Sequence, residues 1–254
     1  MAVLLGFAVA LVATPAGVSG SFLLLPVQVS LIGVVTPSAS ATNLIFNLVS
    51  TPGAIWRYRQ QGQTDLALVG PLVAGNVPGV VGGAWLRVTL FSPPERFLVF
   101  VGVVLGLLGV RLLWSVVRQG RHALRDGGED RAATLAVFSV SLVVGVVGGV
   151  YGIGGAALIA PFLVGVLGFR LRSVVGATLL ATFVTSAAGV VTFELLSRAG
   201  SPHVAADWTF GIGAGLGGLL GSYAGARLHQ YLPERLMKTV LAVLVIGLAI
   251  HYLT

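Results

Sequence analysis

Cysteine is absent from this 254-residue chain, which excludes disulfides, thiolate metal sites and a cysteine nucleophile. Charge is nearly as scarce, with 9% of residues being Asp, Glu, Lys or Arg. The four histidines, His122, His203, His229 and His251, are scattered, so no metal and no cofactor are expected. Lys and Arg outnumber Asp and Glu by 15 to 8, yet they form no basic tail or stripe that could follow a phosphate backbone, and nucleic acid is not an expected partner.

What fills the chain instead is apolar. Hydrophobic residues make up 56% of it and the mean hydropathy is +0.98, which leaves too little polar surface to cover a water-soluble globule. Apolar blocks long enough for a bilayer crossing of roughly 20 residues recur throughout. The expectation is an all-α integral membrane protein. The longest polar stretch, RQGRHALRDGGEDRA from Arg118 to Ala132, reads as a loop.

The chain is an internal duplication. A shift of 135 positions superposes Gly17 on Gly152, Gly20 on Gly155, Pro26 on Pro161 and Leu44 on Leu179. Further on, with a longer loop in the second half, Asp65 matches Asp207, and Gly75, Gly79 and Gly83 match Gly217, Gly221 and Gly225. Each half reads as a glycine-broken block, an apolar helix, a glycine-ridged helix and a last helix after Pro-Glu-Arg. The division is 1–117 for the first repeat, 118–131 for a cytoplasmic loop and 132–254 for the second repeat. The N-terminal block resembles a signal peptide but lacks a basic n-region. It also has a copy at mid-chain, and is expected to be mature structure.

Loop charges choose between two topologies. If the first block of each half (about 2–35 and 133–168) crosses once, basic residues split seven against eight. If each block turns back at its glycines, one side collects twelve (Arg57, Arg59, Arg111, Arg118, Arg121, Arg125, Arg131, Arg170, Arg172, Arg227, Arg235 and Lys238). The other keeps three, Arg87, Arg96 and Arg198. The second division has the bias of a cytoplasmic face. It gives about 8 hydrophobic segments in 10 helical pieces, with both termini outside and the second half inverted. Inverted repeats with discontinuous helices mark secondary transporters, whose sites lie near the midplane.

Two features converge on such a site. Glycines at the tips AGVSGS (Ala16 to Ser21) and YGIGGA (Tyr151 to Ala156) permit chain reversal, and a helix restarting there offers N–H groups and positive dipole to an anion. The next helix carries Asn43, Asn47, Ser50 and Thr51 on one face, matched by Thr178, Thr182, Thr185 and Ser186. Such groups bond other helices or line a polar path, unless each hydroxyl bonds its own i−4 carbonyl. The asparagines cannot be silenced so locally. The expected substrate-binding residues are therefore Gly17, Ser19, Gly20, Ser21, Asn43, Asn47, Ser50, Thr51, Tyr151, Gly152, Gly154, Gly155, Ala156, Thr178, Thr182 and Thr185. The glycine ridges read as close helix packing, Asp65 and Asp207 as N-caps, and GAGLGG from Gly213 as a chance match to a dinucleotide fingerprint, since no strand precedes it.

The segments YGIGGAALIAPFL, GATLLATFVTSAAG, DWTFGIGAGLGGLLGSYAGARL and PERLMKTVLAVLVIGLAI together resemble the TauE/SafE sulfite exporter family, over nearly the whole chain. The resemblance implies a prokaryotic cytoplasmic-membrane transporter of small sulfur-containing anions such as sulfite, sulfonates or sulfoacetate. The first tip departs from the pattern, with Ser19 at the place of Gly154, and Ala156 replaces a third glycine in the second. The expected function is export by alternating access, with a small anion and the lipid bilayer as partners and a homodimer as an open option. No nucleophile stands beside a base, so no enzyme is expected. The alternative is a non-transporting membrane scaffold or assembly factor.

Overall fold

The computed structural model describes residues 1–14, 19–60, 62, 64–117, 131–154, 158–159, 163, 169, 171–201, 203–228 and 234–254. Its helices are α1 (Ala2–Ala13), α2 (Ser21–Val27, continued as a π-helical segment Gln28–Ile32), α3 (Pro37–Gln60), α4 (Leu66–Thr89) and α5 (Pro94–Val117). After the 118–130 stretch, which lies outside the described residues, come α6 (Arg131–Tyr151), α7 (Leu171–Arg198), α8 (Trp208–Leu228) and α9 (Glu234–Leu253). By length and composition Leu66–Thr89, Thr134–Tyr151 and Val174–Arg198 can each cross a membrane, and Ala2–Ala13, Ser21–Ile32 and Thr239–Leu253 are shorter apolar helices.

α1 has 12 residues, or about 18 Å at the helical rise, well short of a hydrocarbon core of about 30 Å. The chain then folds back, because a Cβ added at Gly20 would lie 2.9 Å from Ala10 Cα. In the second half the corresponding limb is longer: α6 has 21 residues. It stops at Gly152, whose φ of 86° is left-handed. There the N–H groups of Gly152 and Ile153 both donate to the Gly148 carbonyl, at 2.8 and 3.0 Å, closing the helix as a glycine C-cap does. Asp65 accepts from the Ala67 N–H at 3.0 Å and Asp207 from that of Phe210 at 2.8 Å, so both cap their helices as expected.

The glycine ridges decide the tertiary pairing. A Cβ at Gly75, Gly79 or Gly83 would strike the carbonyls of Phe138, Leu142 or Val146, one ridge position per turn of α6. On α8, Gly217 and Gly221 sit in the same way on the carbonyls of Val3 and Phe7 of α1. Phe138 and Leu142 are Val3 and Phe7 shifted by 135, so the two crossings are equivalent in sequence. Each ridged helix therefore packs on the first helix of the other half. α3 joins the α1–α8 pair, with Ile45, Phe46 and Val49 against Gly211, Gly218 and Gly215, while α7 joins the α4–α6 pair. α3 and α7 then meet between the two groups, and α5 pairs with α9 through Phe97, Val101, Leu105, Leu241, Val245 and Ala249.

Candidate functional site

Both glycine breaks abut the middle of a long helix. Ser19 Oγ donates to Asn47 Oδ1 of α3 at 3.1 Å and accepts from Ser21 Oγ at 3.0 Å. Asn43, one turn earlier, donates through Nδ2 to the Ser21 carbonyl at 2.8 Å. In the second half Gly154, with φ of 66°, is wedged against α7. A Cβ there would stand 2.6 Å from Ser186 Oγ, 3.2 Å from the Thr182 carbonyl and 3.3 Å from Thr185 Oγ1. Ser19 with Asn47 and Gly154 with Thr182 are the same pair of positions shifted by 135.

A helix-interior proline ties the two breaks together. Pro26 has no N–H with which to reach the Phe22 carbonyl one turn back. Tyr151, fully buried, donates its hydroxyl to that carbonyl at 2.9 Å and stacks on the Phe22 ring with centroids 5.9 Å apart. Gly152 in turn lies on the backbone of Ser40, leaving no room for a side chain, and Ser40 Oγ donates to the Val150 carbonyl at 2.9 Å.

Hydrogen bonding divides the expected residues. Thr51 and Thr182 donate to their own i−4 carbonyls, Asn47 and Thr178, at 2.6 and 2.8 Å, and Thr178 bonds the Val175 carbonyl at 3.0 Å. Thr185 is shared between the Ala181 carbonyl at 2.7 Å and that of Gly154 at 2.6 Å, holding the second break. Ser50 is buried against Gly218, and Gly20 serves a close approach to α1. Phe22 N–H bonds the Ser19 carbonyl at 3.0 Å and Ser21 N–H lies 3.4 Å from Ser19 Oγ, so the backbone donors expected at the first tip are engaged locally. Gly17, Gly155 and Ala156 lie outside the described residues.

Three buried side-chain atoms beside the breaks have no partner among the described residues: Asn43 Oδ1, Asn47 Nδ2 and Ser186 Oγ. Leaving such a group unsatisfied costs about 1–3 kcal/mol, and an amide pair at the first break and a hydroxyl at the second call for water or a ligand. Both amides are pinned by their other end to the first tip, which aims the free ends. A second set, both amide atoms of Asn76 with Ser141 Oγ, is buried between α4 and α6. There a Cβ at Gly145 would meet Asn76 Oδ1 at 2.9 Å.

The loop charges misplace one residue. Arg87, counted among the outside loop cations, is fully buried in the last turn of α4. Its Nη2 donates to the Val35 carbonyl at 2.6 Å, its Nη1 to the Phe91 carbonyl and its Nε to Ser40 Oγ at 3.3 Å. The guanidinium carbon lies 3.5 Å over the Phe97 ring. The available signal was its place inside the ridged helix, four residues after Gly83 and level with His229 of the copy.

A membrane chain keeps helix breaks where protein buries them or where they line a cavity, and paired breaks of this kind are a feature of membrane transporters. The model for the sulfite exporter TauE/SafE matches residues 2–252, and the chain belongs to that family. It is 27% identical over 266 residues to a probable membrane transporter protein of Xylella fastidiosa strain 9a5c, covering 98% of this chain and 90% of that protein. The same identity and coverage hold for the probable membrane transporter protein of Xylella fastidiosa strain Temecula1. No solved structure matches the chain.

Proposed function

We propose that the protein exports small sulfur-containing anions, such as sulfite, a sulfonate or sulfoacetate, across a prokaryotic cytoplasmic membrane by alternating access. The observation that carries this reading is the set of buried polar atoms at the breaks that have no partner among the described residues. Asn47 Nδ2 and the Ser186 hydroxyl supply donors to an oxyanion, and Asn43 Oδ1 supplies an acceptor for a bound water or an acidic proton. Neutral dipoles hold an anion weakly enough to release it. An inside-negative potential favours outward movement by about 2.3 kcal/mol per charge per 100 mV, so export needs no coupled ion.

The chain is read as multi-pass, with 1–117 and 132–254 as inverted repeats, both termini outside and 118–131 in the cytoplasm. The bodies that move are then two helix groups, one of α1, α3 and α8 and the other of α4, α6 and α7, rather than the repeats themselves. The scaffold alternative suits Thr51, Thr178 and Thr182, whose hydroxyls are spent on carbonyls of their own helices, but leaves the free amide atoms without a use. Flux of sulfite, methanesulfonate and sulfate in proteoliposomes, with and without an imposed potential, tests the proposal. Potential-dependent flux of sulfite or methanesulfonate is the expected result, and no flux of any of the three would remove it.

A further inference from the structure

Arg87 is a buried cation whose charge nothing described in the protein cancels. Its acceptors are the Val35 and Phe91 carbonyls and the Ser40 hydroxyl, with an aromatic face beneath. Among the described residues no carboxylate pairs with it, and the ion pair present, Arg198 with Glu194 at 3.7 Å, joins exposed neighbours on α7. Dipoles and a ring quadrupole orient a guanidinium and offset part of its desolvation, but they leave its net charge in place. A membrane helix ending in leucine here would avoid that penalty, and ionisable groups retained inside membrane helices mark solute paths.

The position of the charge is specific. Ser40 Oγ accepts from Arg87 at 3.3 Å and donates to the Val150 carbonyl at 2.9 Å, and Gly152 rests on the Ser40 backbone. The guanidinium thus stands two hydrogen bonds from the second glycine break. Low-dielectric surroundings extend its field over that distance far better than water would.

We infer that Arg87 is the specificity-determining charge of the anion path, acting on solute at the second break through the field it projects past Ser40. It selects for negative charge, while the neutral Asn and Ser groups fix the oxyanion's orientation. This inference rests on the transport reading above and names the charge that reading lacks.

The test uses the full chain in proteoliposomes, with methanesulfonate as a monoanion and sulfate as a competing dianion. Arg87→Met keeps an aliphatic stem over Phe97 and removes the charge. Coulomb energy is linear in ligand charge, so if KM for methanesulfonate rises about tenfold, the inhibition constant of sulfate should rise about a hundredfold. Arg87→Lys keeps the charge and loses the guanidinium fork, so it should preserve the wild-type ratio between the two anions. A purely structural anchor predicts the reverse pattern: Arg87→Lys and Arg87→Met fail alike, with equal losses for both anions and a fall in melting temperature. That pattern overturns the inference, as does an Arg87→Met transporter with wild-type constants. Should Arg87→Met not fold, the ratio in Arg87→Lys decides alone, and a changed ratio counts against it. A wild-type protein that moves none of sulfite, methanesulfonate and sulfate removes the transport reading along with this one, whereas wild-type flux combined with either overturning pattern removes this inference alone.

Discussion

Replacing Asn47 by leucine separates binding from architecture, because its two amide atoms have different fates. Oδ1 accepts from Ser19 at 3.1 Å, whereas Nδ2 is buried with no partner among the described residues. Losing the first bond costs about 1 kcal/mol, and Ser19 keeps its bond from Ser21. Removing the orphaned donor returns about 1–3 kcal/mol of desolvation penalty in the empty protein. The volumes are close, so stability should stay level or rise by up to about 2 kcal/mol. Transport should change far more. A donor to an anion contributes about 1.5–3 kcal/mol, which corresponds to a fall in kcat/KM of roughly 10- to 150-fold. The assay is initial flux of methanesulfonate per folded transporter, beside thermal unfolding of the same preparation in detergent. Wild-type flux in folded Asn47→Leu refutes the assignment of Nδ2 to the solute. A variant that fails to fold refutes the stability arithmetic and favours the scaffold reading.

Two other predictions test the packing. Gly79→Val should cost at least about 3 kcal/mol and abolish the folded protein, because a Cβ there strikes the Leu142 carbonyl and the backbone of Gly145. Gly82→Ala, three residues on with nothing within 4 Å, should stay within about 0.5 kcal/mol of wild type, and unfolding midpoints compare the two. Tyr151→Phe should destabilise by about 1–3 kcal/mol by orphaning the Phe22 carbonyl. Pro26→Ala provides an N–H for that same carbonyl, so the double variant should recover most of the loss. A double-mutant cycle with a coupling near zero would show that the proline is not why Tyr151 is needed there.

Repetition made much of this legible. A ridge of glycines every fourth residue announces that another backbone comes close, and carbonyls do lie against Gly75, Gly79 and Gly83. It does not name the partner, because any helix with a bare backbone face satisfies it. That the partner belongs to the other half is set by packing over the whole bundle. The polar stripe was readable for a similar reason, since i, i+4, i+7 and i+8 share one face. Which of its members are spent on local carbonyls depends on rotamers, and the sequence pattern is silent there. Pro26 advertised a freed carbonyl at Phe22, yet the donor, Tyr151, is 129 residues away. Arg87 was misread because loop-charge counting treats every arginine near a helix end as solvated. Here two backbone carbonyls and a phenyl face draw it inward.

The crossed pairing constrains how such a bundle can move. If the sequence halves rocked as rigid bodies, α4 would have to slide on α6 and α1 on α8. Those are the places where glycines rest on backbone carbonyls with no side chain between. Contacts of that kind are bistable at best, since a shift of a fraction of an ångström brings backbone onto backbone. Between α3 and α7 the described contact at Gly189 is different, because it is made by the end of the Leu44 side chain, 2.7 Å from where a Cβ would stand. A terminal methyl can rotate away where a carbonyl cannot. α3 and α7 are also the helices that carry Asn43, Asn47 and Ser186, whose atoms beside the breaks have no partner among the described residues. Under the transport reading, the yielding seam and the polar lining therefore coincide, and the rigid bodies on either side are each built from both halves of the duplicated chain.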